Sequence, residues 1–134
     1  MRLLLDTHIA LWALADSPQL SPRARELILD MNNQIYLSVA SIWEVQIKHA
    51  AHPDRMLVTS ERFCELCQRA GDELLSIGKR HVLHLAALSR MDGAKPHKDP
   101  FDRILVCQAA EENMKLVTHD SLIVGYDEPC VLFV

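Results

Sequence analysis

The sequence predicts an α/β fold, a doubly wound α/β/α sandwich with a central parallel sheet of about five strands. Two observations carry that expectation. Short apolar runs at Arg2 to Leu5, Ile35 to Leu37, Leu74 to Ile77, Lys115 to Thr118 and Cys130 to Phe133 alternate with longer segments whose apolar residues recur at helical spacing. The runs are apolar at consecutive positions, as strands covered by helices on both faces require. No repeat, low-complexity stretch or linker divides the 134 residues, so residues 1–134 are expected to form one domain.

The elements follow in order. After Leu5, the segment Thr7 to Ala15 reads as a helix with Ile9, Trp12, Ala13 and Leu14 on its apolar side. Ser21 caps a second helix that starts at Pro22 and runs to about Met31, with Ala24, Leu27, Ile28 and Met31 inward. A third helix, Val39 to about Ala50, places Val39, Ile42, Trp43 and Ile47 on one stripe, with Trp43 read as a core anchor like Trp12. His52-Pro53-Asp54 breaks it, and a fourth helix spans Ser60 to Ala70. Gly78 turns the chain into a helix from Lys79 to Ser89, and a polar loop from Met91 to Pro96 follows. Asp99 caps the next helix, Pro100 takes its first position, and Asp102 its third, where the helix dipole favours a carboxylate. That helix is expected to end near Asn113.

Composition narrows the function. Hydrophobic residues make up 49% and charged residues 24%, an ordinary globular profile. Asp6 interrupts the N-terminal apolar run too early for a signal peptide, and no apolar run has the length of a membrane span. A cytoplasmic protein with free or buried thiols at its four cysteines is therefore expected. With a formal net charge of −4, no global basic field recruits nucleic acid. Contact with nucleic acid would need a local patch, and the segment from Lys79 to Arg103 is the most basic.

In a doubly wound fold the strands end, and the crossover helices begin, at one edge of the sheet. Topology alone then brings four distant carboxylates to that rim. Asp6 follows the first strand, Glu44 lies early in the helix after the second, Asp102 opens the helix leading into the fourth, and Asp120 follows the fourth. Ser41 and Glu44 also match a capping box, although Ser38 is the better cap because the apolar stripe already begins at Val39. Two carboxylates ~4 Å apart repel by roughly 1 kcal/mol in water and about 4 at an effective dielectric of 20. Such a cluster takes up protons or binds a cation, and an all-carboxylate site suits Mg²⁺ or Mn²⁺. Those ions activate water and neutralise charge on a phosphodiester.

Asp6-Thr7, Glu44 in the run Ser38-x-x-Ser41-x-Trp43-Glu44, His97-Lys98-Asp99-Pro100-Phe101-Asp102-Arg103-Ile104-Leu105, and Thr118-His119-Asp120 resemble the PIN-domain family. Within it, they resemble the VapC-type ribonuclease toxins of prokaryotic toxin–antitoxin pairs. The likeness spans nearly the whole chain, and the Asp-Pro-Phe-Asp-Arg run is its most specific part. The resemblance implies a PIN-like sandwich and a Mg²⁺-dependent endoribonuclease that cleaves single-stranded RNA. It implies catalytic roles for Asp6, Glu44, Asp102 and Asp120, with Asp6, Asp102 and Asp120 as metal ligands and Thr118 and Asp99 in support. His119 stands where such proteins often carry a basic residue, and it contacts a phosphate only when charged or donating. RNA is expected to meet Lys95, Lys98 and Arg103, with Lys48 as a further candidate. The resemblance also implies a homodimer and a cognate antitoxin, docked between helices around Trp12 and Leu20 to Met31.

Other motifs point elsewhere more weakly. Cys64-x-x-Cys67 has no second pair at metal spacing and follows no strand, so buried thiols explain it. His81-x-x-His84 is a half-motif, and the four glycines form no phosphate loop. Two rivals use the same acids: a structure-specific DNA nuclease and a non-catalytic, Mg²⁺-binding receiver-like signalling domain. The latter wants paired acids after the first strand and a lysine after the last, and here Asp6 stands alone and no lysine follows Pro129.

Overall fold

The computed structural model describes residues 1–134. Its five strands are β1 (Arg2–Leu5), β2 (Gln34–Ser38), β3 (Glu73–Leu75), β4 (Lys115–Thr118) and β5 (Val131–Phe133). They form one sheet in the order β3-β2-β1-β4-β5, parallel at every pairing. The helices are α1 (Thr7–Leu14), α2 (Pro22–Leu29), α3 (Val39–Ala51), α4 (Ser60–Arg69), α5 (Lys79–His84) and α6 (Pro100–Glu111). The expected parallel α/β sandwich is present, and no helix is long and apolar enough to cross a membrane.

Side chains alternate across a strand, so the consecutive leucines of β1 serve two cores. Leu3 and Leu5 pack with Leu37, Val117, Ile9 and Ala10 of α1, Val45 of α3, and Phe63 and Cys67 of α4. Leu4 and Leu116 pack on the other face with α6, Ile123, Tyr126 and Cys130. In α6, Asp102 and every residue from Ile104 to Ala109 are buried. Gln108, buried among them, accepts from the Ser38 hydroxyl at 2.6 Å and donates to the Ser76 carbonyl at 3.3 Å. Ser38 in turn caps α3 by accepting from the Ala40 amide.

The structure corrects several expectations. Helix α2 stops at Leu29 because Asp30 turns extended and its carboxylate accepts from the Asn32 amide, leaving Met31 98% exposed. The stripe Val39, Trp43 and Ile47 faces outward, with Trp43 57% exposed. Ala40, Ser41, Glu44 and Val45 face inward instead, since small residues let α3 approach the sheet where a tryptophan could not. Helix α5 tightens after His84 into a 3₁₀ turn at Leu85–Ala87, and Leu88 is extended. Helix α6 ends at Glu111, near Asn113 as expected; Asn113 has a left-handed φ of 55°, and the Met114 amide closes back onto the Ala109 carbonyl. The cysteines also follow expectation: Cys64 and Cys67 are unpaired thiols, and burial pushes Cys67 up to about 12.

The His81 and His84 pair proves structural. The Gly78 amide donates to His81 Nδ1 at 2.8 Å, so the His81 proton sits on Nε2, 2.8 Å from Glu112. His84 bridges Glu111 at 3.0 Å and Glu128 at 2.8 Å, tying α5 to the end of α6 and to the turn before β5. Those two hydrogen bonds, Glu128 first, raise the His84 pKa above 6.5. A raised histidine stabilises the fold fully below its unfolded value and loses that contribution as pH climbs through the folded one. Urea unfolding between pH 6 and 9 should therefore show stability falling from pH 6.5 upward, and His84→Gln should flatten that fall. An unchanged slope in the variant would show that the bridge carries no such linkage.

Candidate metal centre

Strands β1 and β4 are neighbours, and the chain leaves them toward opposite halves of the sheet. The crevice beyond their carboxyl ends is the usual ligand position in open α/β sheets. Asp6 extends the ladder one residue past β1, its amide donating to the Val117 carbonyl at 3.0 Å. It occupies the N-cap position of α1 without using its side chain as a cap, which leaves the carboxylate for the crevice. Thr118, the last residue of β4, donates its hydroxyl to Asp6 Oδ2 at 2.7 Å and accepts from the Asp120 amide at 3.0 Å. Asp120 Oδ1 accepts from the Leu122 amide at 2.8 Å, which fixes the turn that carries it.

The helices supply the remaining acids. Asp99 caps α6 by accepting from the Phe101 and Asp102 amides at 2.9 and 3.1 Å, and Pro100 needs no partner because it has no N–H. This cap sets the first turn that aims Asp102, itself buried, at the crevice. Glu44 is buried in the second turn of α3, where Ser38 rather than Ser41 is the cap. Lys48 Nζ donates to Glu44 Oε2 at 2.5 Å. Glu44 Oε1 is buried without any partner.

The carboxylates sense one another. Burial first, then the charges of Asp6, Asp99, Glu44 and Asp120, push Asp102 up to about 8. Asp6 is likewise raised by burial and by Glu44, with the Thr118 hydrogen bond working in the opposite direction. Ligand atoms of His97, Asp102 and Asp120 lie within 4.8 Å of one another. Asp6 and Glu44 stand outside that tight group but within reach of its charge.

His97 is a residue that the sequence analysis did not place in the site. Its Nε2 lies 3.1 Å from Asp102 Oδ2 and its Nδ1 2.7 Å from the Tyr126 hydroxyl. The available signal was its position, five residues before Asp102 in the same run. The four carboxylates form a donor set for a hard divalent cation, Mg²⁺ or Mn²⁺, while both His97 nitrogens already have protein partners. The unpartnered Glu44 Oε1 also fits such an ion, since a buried carboxylate oxygen calls for a cation or a water.

The basic candidates divide. Lys95 and Lys98 are exposed on the loop before α6 and form no ion pair. Arg103 turns inward, donating to the Tyr126 hydroxyl at 3.3 Å and to the Leu85 carbonyl at 3.5 Å. His119 stacks on Phe133 with centroids 5.2 Å apart and hydrogen-bonds through Nδ1 to the Val134 carbonyl.

Comparison with known proteins agrees with this fold. The family model for the PIN domain matches residues 3–128. Among solved structures, VapBC2 from Rickettsia felis, bound to a DNA fragment from its promoter, is similar at TM-score 0.71 and 16% identity. That match covers 100% of this chain and 98% of the other. VapBC-1 from nontypeable Haemophilus influenzae is similar at TM-score 0.59 and 19% identity, covering 90% of this chain and 87% of that one. The FitAB complex bound to an IR36 DNA fragment is similar at TM-score 0.60 and 19% identity, covering 98% and 94%. No curated protein sequence matches significantly.

The raised Asp102 pKa has a stability consequence in metal-free protein. An acid that holds its proton more tightly when folded than its ordinary value of 3.8 makes stability fall as pH rises from about 4 to about 8. In EDTA, Asp102→Asn should remove that fall, so the variant melts above wild type by a margin that grows toward pH 8. A variant that melts below wild type at pH 8 would show that burial and the neighbouring acids impose no such penalty on the Asp102 charge.

Proposed function

The chain belongs to the PIN-domain family, and from that premise we propose that it is a metal-dependent endoribonuclease acting on single-stranded RNA, the VapC-type toxin of a toxin–antitoxin pair. The observation that carries the reading is the convergence of Asp6, Glu44, Asp102 and Asp120 on one crevice, with an unpartnered carboxylate oxygen inside it. Residues 1–134 act as a single nuclease unit in this reading.

Asp6, Asp102 and Asp120 would hold Mg²⁺ or Mn²⁺, with Glu44 beside them. Such an ion, when bound, supplies an activated water and neutralises charge at the phosphodiester. Thr118 orients Asp6 through its 2.7 Å hydrogen bond and, through the Asp120 amide, links the two acids. Lys48 occupies one oxygen of Glu44, leaving Oε1 as the atom able to accept a proton from water. Asp99 supports the site indirectly, as the cap that sets Asp102. Lys95 and Lys98, exposed and unpaired, suit the phosphates of a strand crossing the rim. Arg103 acts behind them, through Tyr126.

The relatives VapBC2, VapBC-1 and FitAB are complexes, which supports an antitoxin partner for this chain. An apolar cleft between α1, α4 and the segment before α4, walled by Leu11, Trp12, Met56, Leu57 and Leu66, suits its docking segment. Helix α2 contributes nothing to that cleft. An antitoxin arginine directed at the acids would pair with carboxylates and compete with the cation. Homodimerisation and a cytoplasmic location complete the proposal.

Purified protein with Mg²⁺ or Mn²⁺ should cleave single-stranded RNA, stop in EDTA, and leave DNA duplexes and flaps intact. Asp6→Asn should abolish cleavage while retaining the wild-type circular dichroism spectrum. Cleavage of DNA flaps in preference to RNA would favour the DNA nuclease, and wild-type turnover by Asp6→Asn would remove the acid assignment. Co-expression with the neighbouring small reading frame should yield a soluble complex without nuclease activity. Failure to bind, together with harmless expression of this chain alone, would refute the toxin role while leaving the nuclease intact.

A further inference from the structure

The His97 ring is almost enclosed, its side chain 5% exposed, and both nitrogens are engaged. Neutral imidazole offers one donor and one acceptor, so the neighbours decide which nitrogen carries the proton. On one side is Asp102 Oδ2, 3.1 Å from Nε2, which only accepts when Asp102 is ionised. On the other is the Tyr126 hydroxyl, 2.7 Å from Nδ1. Its oxygen already receives a hydrogen bond from Arg103, whose guanidinium has donors only. The hydroxyl proton then has two acceptors to choose from: Nδ1 at 2.7 Å and the His97 carbonyl at 3.4 Å. The shorter contact satisfies every group with one tautomer. The opposite tautomer would face a bare Nε2 lone pair against a carboxylate oxygen.

The frame around this chain of bonds is firm. Tyr126 is buried, with the Arg90 guanidinium over its ring at 4.5 Å and that of Arg103 at 5.9 Å. Arg90 also donates to the Lys95 and Leu122 carbonyls, tying the loop before His97 to the turn before Tyr126. At Gly125 a Cβ would lie 2.3 Å from the Arg90 guanidinium, so only glycine leaves room for this packing.

We infer that Tyr126 and His97 form a proton-ordered relay that positions Asp102: the Tyr126 hydroxyl donates to His97 Nδ1, and His97 Nε2–H donates to Asp102 Oδ2. Asp102 Oδ1 receives no hydrogen bond from the protein, so the relay orients the carboxylate with that oxygen left for the crevice. His97 is thus a positioning residue rather than a metal ligand, a role that rests on the metal-centre reading above. It parallels the outer hydrogen bonds that set ligand orientation at metal sites generally.

The test combines proton placement with metal affinity. Long-range ¹H–¹⁵N spectra of histidine-labelled protein at pH 9, with and without Mg²⁺, should show His97 protonated at Nε2 in both states. Tyr126→Phe, which keeps the ring and removes the hydroxyl, should give a mixture of tautomers. Mn²⁺ titration should show His97→Gln, whose amide can replace the N–H, within about threefold of wild type, and His97→Ala weaker by tenfold or more. A proton found on Nδ1, or an Nε2–H lost when Mg²⁺ is added, would overturn the relay and make His97 a ligand. Equal Mn²⁺ affinity in the glutamine and alanine variants would overturn the positioning role. Absence of Mn²⁺ binding in wild type would bring down the metal centre itself, and the tautomer would still decide the relay.

Discussion

Two ionised carboxylates about 4 Å apart repel by about 4 kcal/mol at an effective dielectric of 20, and this crevice gathers several. Burial of Asp6, Glu44 and Asp102 sharpens the repulsion by removing water. Each acid has its own local relief: a threonine hydroxyl at Asp6, a lysine at Glu44, an imidazole at Asp102 and a backbone amide at Asp120. A hydrogen bond to a charged group contributes roughly 1.5–3 kcal/mol. Such bonds offset part of the repulsion, and the upward shift of Asp102 to about 8 shows that the balance stays unfavourable to its charge. The excess negative potential left in the crevice is what makes a cation the natural complement.

Crowded acids would drift apart unless something stiffer held them. Helix α6 supplies the stiffness, because its residues from Ile104 to Ala109 are buried without interruption. A fully buried aliphatic side chain contributes about 1.5–3 kcal/mol, so Ile104, Leu105 and Val106 alone outweigh a repulsion of a few kcal/mol. Gln108 locks the helix laterally to the end of β2, where Ser38 also starts α3. Asp102 and Glu44 are therefore positioned by one shared hydrogen-bonded junction, and moving either acid would mean breaking a buried bond.

What the sequence could and could not reveal follows from the kind of information each feature needs. Asp6, Asp102 and Asp120 were placed by topology, since chain order and strand direction alone decide which edge they reach. The Asp99 cap and the Ser38 cap were local patterns, and both stand in the structure. Trp43 and Met31 face solvent, contrary to expectation, because helical periodicity identifies an apolar stripe without saying whether anything covers it. In α3 the inward face is made of Ala40, Ser41, Glu44 and Val45, of which only Val45 is a large apolar residue, so no apolar stripe marks it. His97 and Tyr126 escaped for a different reason. They meet across 29 residues of sequence, through a loop and a turn whose path no periodicity encodes.

The division of the cations bears on how a polyanion is met. The chain carries a net charge of −4, and its basic stretch looked like the remedy. Yet Arg90 and Arg103 are committed to the faces and hydroxyl of Tyr126, and Lys48 to Glu44. Guanidinium suits that inward task because it stacks on a ring and donates in a plane at the same time, which an ammonium cannot do. Lys95 and Lys98 are left facing solvent beside the crevice. Two phosphate contacts to a single strand give a salt-dependence slope of only about 1.4, at about 0.7 for each. Electrostatic attraction by side chains is therefore weak here, and the acidic crevice itself repels phosphate. If the proposed function holds, affinity for an RNA strand comes mainly from a cation held in that crevice, so the acids that lower the stability of the metal-free protein would also make substrate binding conditional on metal.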